Sequence, residues 1–154
     1  MQTTSPSVAV EEIREGECRD LLEGKRLGRL GVVVAGRPEI FPVNYSLDVT
    51  GAVVFETAPG TKLAAAVNHH VVFEVDHTET NRPDSGSGWS VVVHGVAHQT
   101  HPDKLRFAGR RHHSWLPEMP FTVRIHSNQV TGRRLTGPRL TGPRLTSPRL
   151  TAGD

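Results

Sequence analysis

Six short runs in which apolar and polar residues alternate, joined by hairpin-length links and by no long helical crossover, predict a mainly β protein. The expected architecture is a six-stranded antiparallel β-barrel with two or three short helices, because closure removes the exposed edges that such strands otherwise present. Even spacing of the runs argues against a doubly wound α/β sheet, whose parallel strands need helical crossovers between them.

The first element is a helix. Ile13, Cys18, Leu21 and Leu22 recur at helix-compatible spacing, and Gly24 and Gly28 bracket its end. Residues 1–10 ahead of it read as a flexible N-terminus. Cys18 falls on the apolar stripe and is expected in the core rather than as a nucleophile. Leu30–Ala35 is a short β-branched strand, and Ala35-Gly36-Arg37-Pro38 is a turn. Glu39–Leu47 then sets Phe41, Val43, Tyr45 and Leu47 on one face against Ile40, Pro42, Asn44 and Ser46 on the other. Pro42 has no N–H to give to a ladder, so it belongs at an edge, a bulge or a barrel opening.

Ala52–Thr57 places Val53, Phe55 and Thr57 on one face, and a short Ala-rich helix follows over 61–68. Val71–Asp76 directs Val71, Phe73 and Val75 inward. A polar loop over His77–Gly88 leads into the longest strand, Trp89–Gln99, whose apolar face holds Trp89, Val91, Val93, Gly95 and Ala97. His101–Ala108 is expected as a short helix capped near Asp103. Phe121–Ser127 completes the barrel, with Phe121, Val123 and Ile125 inward.

A chain of 154 residues with 36% apolar content suits one domain with a real core. No segment approaches the roughly 18 continuous apolar residues of a membrane span, and Met1–Ser7 has no signal-peptide pattern. A single cysteine, Cys18, excludes an internal disulfide and fits a cytoplasmic location. The charge is unevenly divided. Residues 1–132 hold 13 Lys/Arg against 15 Asp/Glu, a net of −2, whereas residues 133–154 hold five arginines and one aspartate, a net of +4. The basic balance therefore belongs to the C-terminal end, and the barrel has no nucleic-acid-like charge excess. That end is a repeat: Arg134-Leu135-Thr136-Gly137-Pro138 is echoed in register by Arg139–Pro143, Arg144–Pro148 and Arg149–Ala152. A five-residue unit with Pro continues neither a helix nor a central strand, so residues 136–154 are expected to be a disordered tail.

The segment Ala58-Pro59-Gly60-Thr61-Lys62-Leu63 carries the most chemistry. It leaves a strand, turns, and opens a helix, which aims backbone N–H groups, the Thr61 hydroxyl and the Lys62 ammonium at one spot suited to a phosphate. An ordinary strand–turn–helix joint with a solvated lysine accounts for the six residues equally well. Neither G-x-x-x-x-G-K-[ST] nor a G-x-G-x-x-G after a strand is present, so the nucleotide-binding folds built on those loops are disfavoured. The nine histidines have no zinc-like ligand spacing, and no metal is expected. No G-x-S-x-G elbow marks a nucleophilic serine. Trp115, in the loop between His112-His113-Ser114 and Leu116-Pro117, is placed to cover a planar ligand or simply to pack.

Taken in order, five segments resemble one family. They are Leu27-Gly28-Arg29-Leu30-Gly31-Val32-Val33, Gly36–Tyr45, Val54-Phe55-Glu56-Thr57-Ala58-Pro59-Gly60-Thr61-Lys62-Leu63, Phe73-Glu74-Val75-Asp76 and Gly88–Gly95. The chain is similar to the pyridoxamine 5′-phosphate oxidase-like, flavin-binding split barrels, specifically their small actinobacterial-type members, from about Glu12 to Leu135. The resemblance implies a split-barrel domain over residues 11–135, a homodimer, and flavin mononucleotide (FMN) held in grooves between subunits. It implies an oxidoreductase acting on a small-molecule substrate, with no catalytic residue assigned beyond Tyr45, His94 and His98 as candidates. Gly60, Thr61 and Lys62, with Thr57, would hold the phosphate, while Asn44 and the backbone of Val43 would border the isoalloxazine. The cofactor-binding set is thus Val43, Asn44, Thr57, Gly60, Thr61, Lys62 and Trp115. A deazaflavin in place of FMN, or a non-catalytic flavin- or haem-type binding module, are the alternatives. Many relatives carry Arg where this chain has His94.

Overall fold

The computed structural model describes residues 9–79, 87–113 and 119–137. Trp115, most of the expected N-terminal segment and most of the repeat tail lie outside the described residues. The elements run β1 (Ala9–Ile13), α1 (Glu15–Glu23), β2 (Leu27–Val34), β3 (Arg37–Leu47), β4 (Val53–Thr57), α2 (Thr61–Ala66), β5 (His70–Thr78), β6 (Gly88–Thr100), a 3₁₀ turn (Pro102–Lys104) and β7 (Phe121–Thr136). The sheet order is β1-β7-β4-β3-β2-β5-β6, and a further β6–β7 pairing closes β2 through β7 into a six-stranded antiparallel barrel. All six predicted strands are present.

The strands alternate as their sequences require. Leu30, Val32, Val43, Tyr45, Phe55, Phe73, Val75, Val91, Val93, Val123 and Ile125 fill the barrel, all buried. Tyr45 packs edge-on against Phe73 with ring centroids 4.9 Å apart, and its hydroxyl donates to the Leu22 carbonyl of α1. Burial pushes the Tyr45 hydroxyl pKa above its ordinary value. Cys18 and Leu22 turn the buried stripe of α1 onto the barrel, and Cys18 is fully buried, as its position on the stripe predicts. Burial raises the thiol pKa, which is the opposite of nucleophile activation.

The β2–β3 link is tighter than predicted. Val34 pairs with Arg37, leaving Ala35 and Gly36 as a two-residue turn with φ of 47° and 77°, the left-handed pair that matches strand twist in a hairpin. The expected helix over His101–Ala108 shrinks to the 3₁₀ turn. Pro102 starts it, and the chain beyond is claimed by backbone bonds to the β3–β4 region, Val49 N–H to Arg106 O at 2.7 Å and Ala108 N–H to Leu47 O at 3.1 Å.

β1 adds a seventh strand outside the barrel. Its partner is the second half of β7, which continues to Thr136 rather than ending at Ser127. Glu11 and Glu12 face Arg134 and Arg133 across this pair, so opposite charges rather than apolar burial favour the register. Only Ile13 of β1 is buried.

At the β3–β4 turn a buried carboxylate organises the backbone. Asp48 accepts from Thr50 N–H at 2.9 Å, Ala52 N–H at 3.0 Å and Arg124 Nε at 2.6 Å. Burial works to raise its pKa, but the hydrogen bonds from Thr50, Arg124 and Ala52 and the Arg124 charge together outweigh it, and the net shift is downward. A depressed folded pKa contributes stability that is complete above the ordinary carboxylate value of about 4 and is lost as pH falls through the folded value. Asp48→Asn should therefore flatten the acid limb of stability measured by urea unfolding below about pH 4; an unchanged limb would count against the clamp. At the β-bulge between His94 and Gly95, a Cβ added to Gly95 would run into the His126 carbonyl oxygen. Gly95→Ala should cost about 1–3 kcal/mol in the same assay, and a wild-type midpoint would contradict this packing.

Candidate functional site

β3 and β4 pair only from Tyr45–Phe55 to Leu47–Val53. Beyond that point β4 stays with β7 through Glu56–Thr122 and Thr57–Phe121, while β3 stays with β2. Tyr45 N–H donates to Arg26 O at 2.9 Å, so by antiparallel alternation Val43 turns its backbone groups toward β2 and Asn44 turns its own toward the side that β4 has left. Pro42, with no N–H, lies on this opened stretch, as its chemistry requires.

At the far end of β4 stands the strand–turn–helix corner. Thr57 is buried and its hydroxyl donates to Ala58 O at 3.3 Å. Gly60 has φ of 147°, a conformation that L side chains rarely adopt. It opens α2 without a side-chain cap, so the first-turn N–H groups of Thr61, Lys62 and Leu63 keep their hydrogen-bonding capacity. Thr61 is exposed. Lys62 is half-buried, with its ammonium 5.4 Å above the Phe41 ring. Burial lowers its pKa, and it forms no ion pair with a described carboxylate. A half-buried, unpaired ammonium beside uncapped N–H groups is a locus that favours an anion.

The outer face of β2 and β3 forms one wall of a groove of about 550 Å³. Lys25, Arg26 and Arg29 line it from the α1–β2 link and β2, Asn44 from β3, and Arg111, His112 and His113 from the segment after the 3₁₀ turn. That segment is a strap over the outside of β3 and β4. Asp48 bridges to Phe107, the His112 N–H donates to the buried Ser46 hydroxyl at 2.7 Å, Arg111 pairs with Glu56, and His113 Nδ1 lies 3.5 Å from Glu56 Oε2. Burial lowers the His112 pKa first, and the charges of Arg26 and Arg110 add to it.

With the barrel, the corner and the groove in place, the comparison with known proteins is decisive. A family model described as pyridoxamine 5′-phosphate oxidase matches residues 14–134. The chain belongs to the pyridoxamine 5′-phosphate oxidase family. Among similar solved structures, an FAD-binding protein from Mycobacterium smegmatis is 36% identical, with 82% of this chain and 98% of that one covered and a TM-score of 0.63. A candidate pyridoxamine 5′-phosphate oxidase from Corynebacterium glutamicum is 33% identical, covering 83% and 99% with a TM-score of 0.65. A haem-binding protein from M. smegmatis shares the fold at 20% identity, covering 74% of this chain and 51% of that one with a TM-score of 0.56. No curated protein matches the chain at a significant level.

Within this family framework the sequence-derived residues fall into separate environments. Thr57, Gly60, Thr61 and Lys62 gather at the β4–α2 corner. The Val43 side chain is buried in the core and its backbone groups turn toward β2, so of the two expected ring neighbours Asn44, half-buried in the groove, is the one that faces the opened side. Tyr45 is removed from candidacy as a proton donor, because its side chain is buried and its hydroxyl is committed to Leu22. His94 and His98 are both exposed on β6, with His98 Nδ1 3.3 Å from Asn68 Oδ1. Among the described residues, no three His, Cys, Asp or Glu side chains form a metal-holding group. The strap residues Arg111–His113 and the cations Lys25–Arg29 carried no local signal, since only long-range folding brings them to Asn44.

Proposed function

We propose that this protein binds a flavin, FMN in the first instance, and acts as a flavin-dependent oxidoreductase on a small-molecule substrate. The observation that carries the reading is the β4–α2 corner, where Lys62, half-buried and without a carboxylate partner among the described residues, stands beside the uncapped first turn of α2. A phosphate there would accept N–H bonds from Thr61 and its neighbours and neutralise Lys62, offsetting the cost of burying that ammonium. The stretch of β3 that β4 leaves unpaired lies next to this corner, and the polar backbone of Asn44 suits the hydrogen-bonding edge of an isoalloxazine. When bound, the flavin supplies the hydride chemistry, while the protein orients it and limits solvent access.

Membership of the family and the likeness to a protein named as FAD-binding support flavin as the class of cofactor. They leave FMN, FAD and a deazaflavin to be ordered by side-by-side titration. The haem-binding neighbour, at 20% identity, supports the shared fold alone. Lys62→Ala should weaken flavin binding, followed by fluorescence quenching, by about 1.5–3 kcal/mol, the scale of a charge-assisted hydrogen bond. An unchanged Kd would remove Lys62 from the anchor. Reduction of an artificial acceptor by a nicotinamide cofactor, faster than free flavin achieves, separates an enzyme from a binding module.

A homodimer is the second part of the proposal. Ile40 and Val72 flank Gly31 on the outer face of β3, β2 and β5, and with Val33 they leave an apolar trough. Ile40 is 69% and Val33 60% exposed, a face that a second copy of the chain would cover. Ile40→Glu should shift the light-scattering mass from dimer to monomer; a wild type that is already monomeric would end this part of the reading.

A further inference from the structure

β1 ends its sheet, and among the described residues no strand lies along its far edge. An edge strand presents N–H and C=O groups that no ladder uses. Val10 is 61% exposed on this strand, beside the exposed Leu135 of β7. The surroundings are acidic. Residues 9–17 hold four glutamates, Glu11, Glu12, Glu15 and Glu17, against Arg14, a net of −3. Arg134 answers Glu17 at 2.6 Å, and among the described residues neither Glu11 nor Glu12 closes an ion pair. Such an edge repels another acidic strand and suits a short segment that carries arginine.

The chain itself contains that segment. β1 already pairs with one Arg-Leu-Thr triplet, setting Glu11 against Arg134, Val10 against Leu135 and Ala9 against Thr136. The same triplet returns at Arg139–Thr141, Arg144–Thr146 and Arg149–Thr151, outside the described residues. Residues 138–154 bring those three arginines against Asp154, a net of +2 that complements β1. Each triplet follows a proline, a residue that sheets accept at an edge and not in a central strand. Reach is sufficient. The far side of β1 lies two strand spacings, about 10 Å, from β7. The eight residues from Thr136 to Arg144 span up to about 26 Å, enough to pass β1 and turn back along it.

We propose that the open edge of β1 is covered by the chain's own repeat Arg144-Leu145-Thr146, added as a short antiparallel strand. The register of β7 is repeated on the other side, with Arg144 opposite Glu11, Leu145 opposite Val10 and Thr146 opposite Ala9. Leu145 extends the apolar Val10–Leu135 pair, and Arg144 supplies charge to glutamates that Arg134 does not engage. Main-chain bonds hold the added strand, while its alternate side chains select the segment. The flanking triplets are equivalent substitutes, so a copy stays within reach when one lets go. A covered edge no longer templates pairing with other molecules, and this role is independent of the cofactor.

The test is residue-resolved hydrogen–deuterium exchange of the full-length chain. The β1 amides that point away from β7 should be protected. In a variant combining Arg139→Glu, Arg144→Glu and Arg149→Glu they should exchange about tenfold or more faster. A variant combining Leu140→Ser, Leu145→Ser and Leu150→Ser should expose the same amides, whereas diffuse attraction of a basic tail would leave them protected. The β2–β6 amides and the thermal transition should stay unchanged in both variants, which confines the effect to the edge. Equal exchange of the outward β1 amides in the unaltered chain and the arginine variant overturns the proposal, whether the edge is bare or covered by residues 1–8. Protection that survives the leucine variant also overturns it. Protection that rises with protein concentration does so too, because the covering strand then comes from a second copy.

Discussion

β3 and β4 share three residue pairs and then part, because one keeps its ladder with β2 while the other keeps its ladder with β7. A closed barrel normally leaves no backbone edge to bond anything else. Here the separation creates an edge without opening the core, since the side chains of Val43, Tyr45 and Phe55 still face inward and are buried. The β4–α2 corner follows the same parting: freed from β3, the chain turns at Gly60 and starts α2, which packs against β2 and β6. The candidate site therefore arises from a mismatch in strand pairing, and the residues around it are the ones that tolerate or exploit that mismatch. Pro42 needs no donor partner, Gly60 accepts an unusual φ, and Asn44 has polar groups to offer outward.

Glu56 joins the two halves of this region. It precedes Thr57 on β4, yet its carboxylate reaches outward to Arg111 and His113 on the strap. The position of the strap is thus tied to the same strand that ends in the corner. Asp48 plays the matching part at the other end of β4, holding the turn and Arg124 of β7 together. Two carboxylates, one at each end of a five-residue strand, fix its surroundings through charge-assisted bonds that an apolar contact would not orient.

The barrel was legible in the sequence because period-two burial is a local pattern, repeated in every strand. The corner was legible because Thr57–Lys62 is contiguous. β1 was not: Ala9–Ile13 lacks alternation and buries one side chain, and its pairing depends on arginines more than 120 positions away. The extension of β7 was hidden for the same reason, its second half being mostly polar and exposed. The expected helix at His101–Ala108 failed because tertiary hydrogen bonds to Leu47 and Val49 outbid local propensity. The groove was invisible for a topological reason, since Arg26, Asn44 and His112 come from three separate segments and no spacing rule relates them.

The β1–β7 clasp sets Ala9 directly across from Thr136. Both ends of the described chain consequently leave the barrel at one place, on the strand that also carries the closing seam. In a chain trimmed to residues 9–136, a short peptide joining Ala9 to Thr136 would leave every ladder intact, so the barrel is suited to circular permutation, with new termini cut into the exposed Ala35-Gly36 turn.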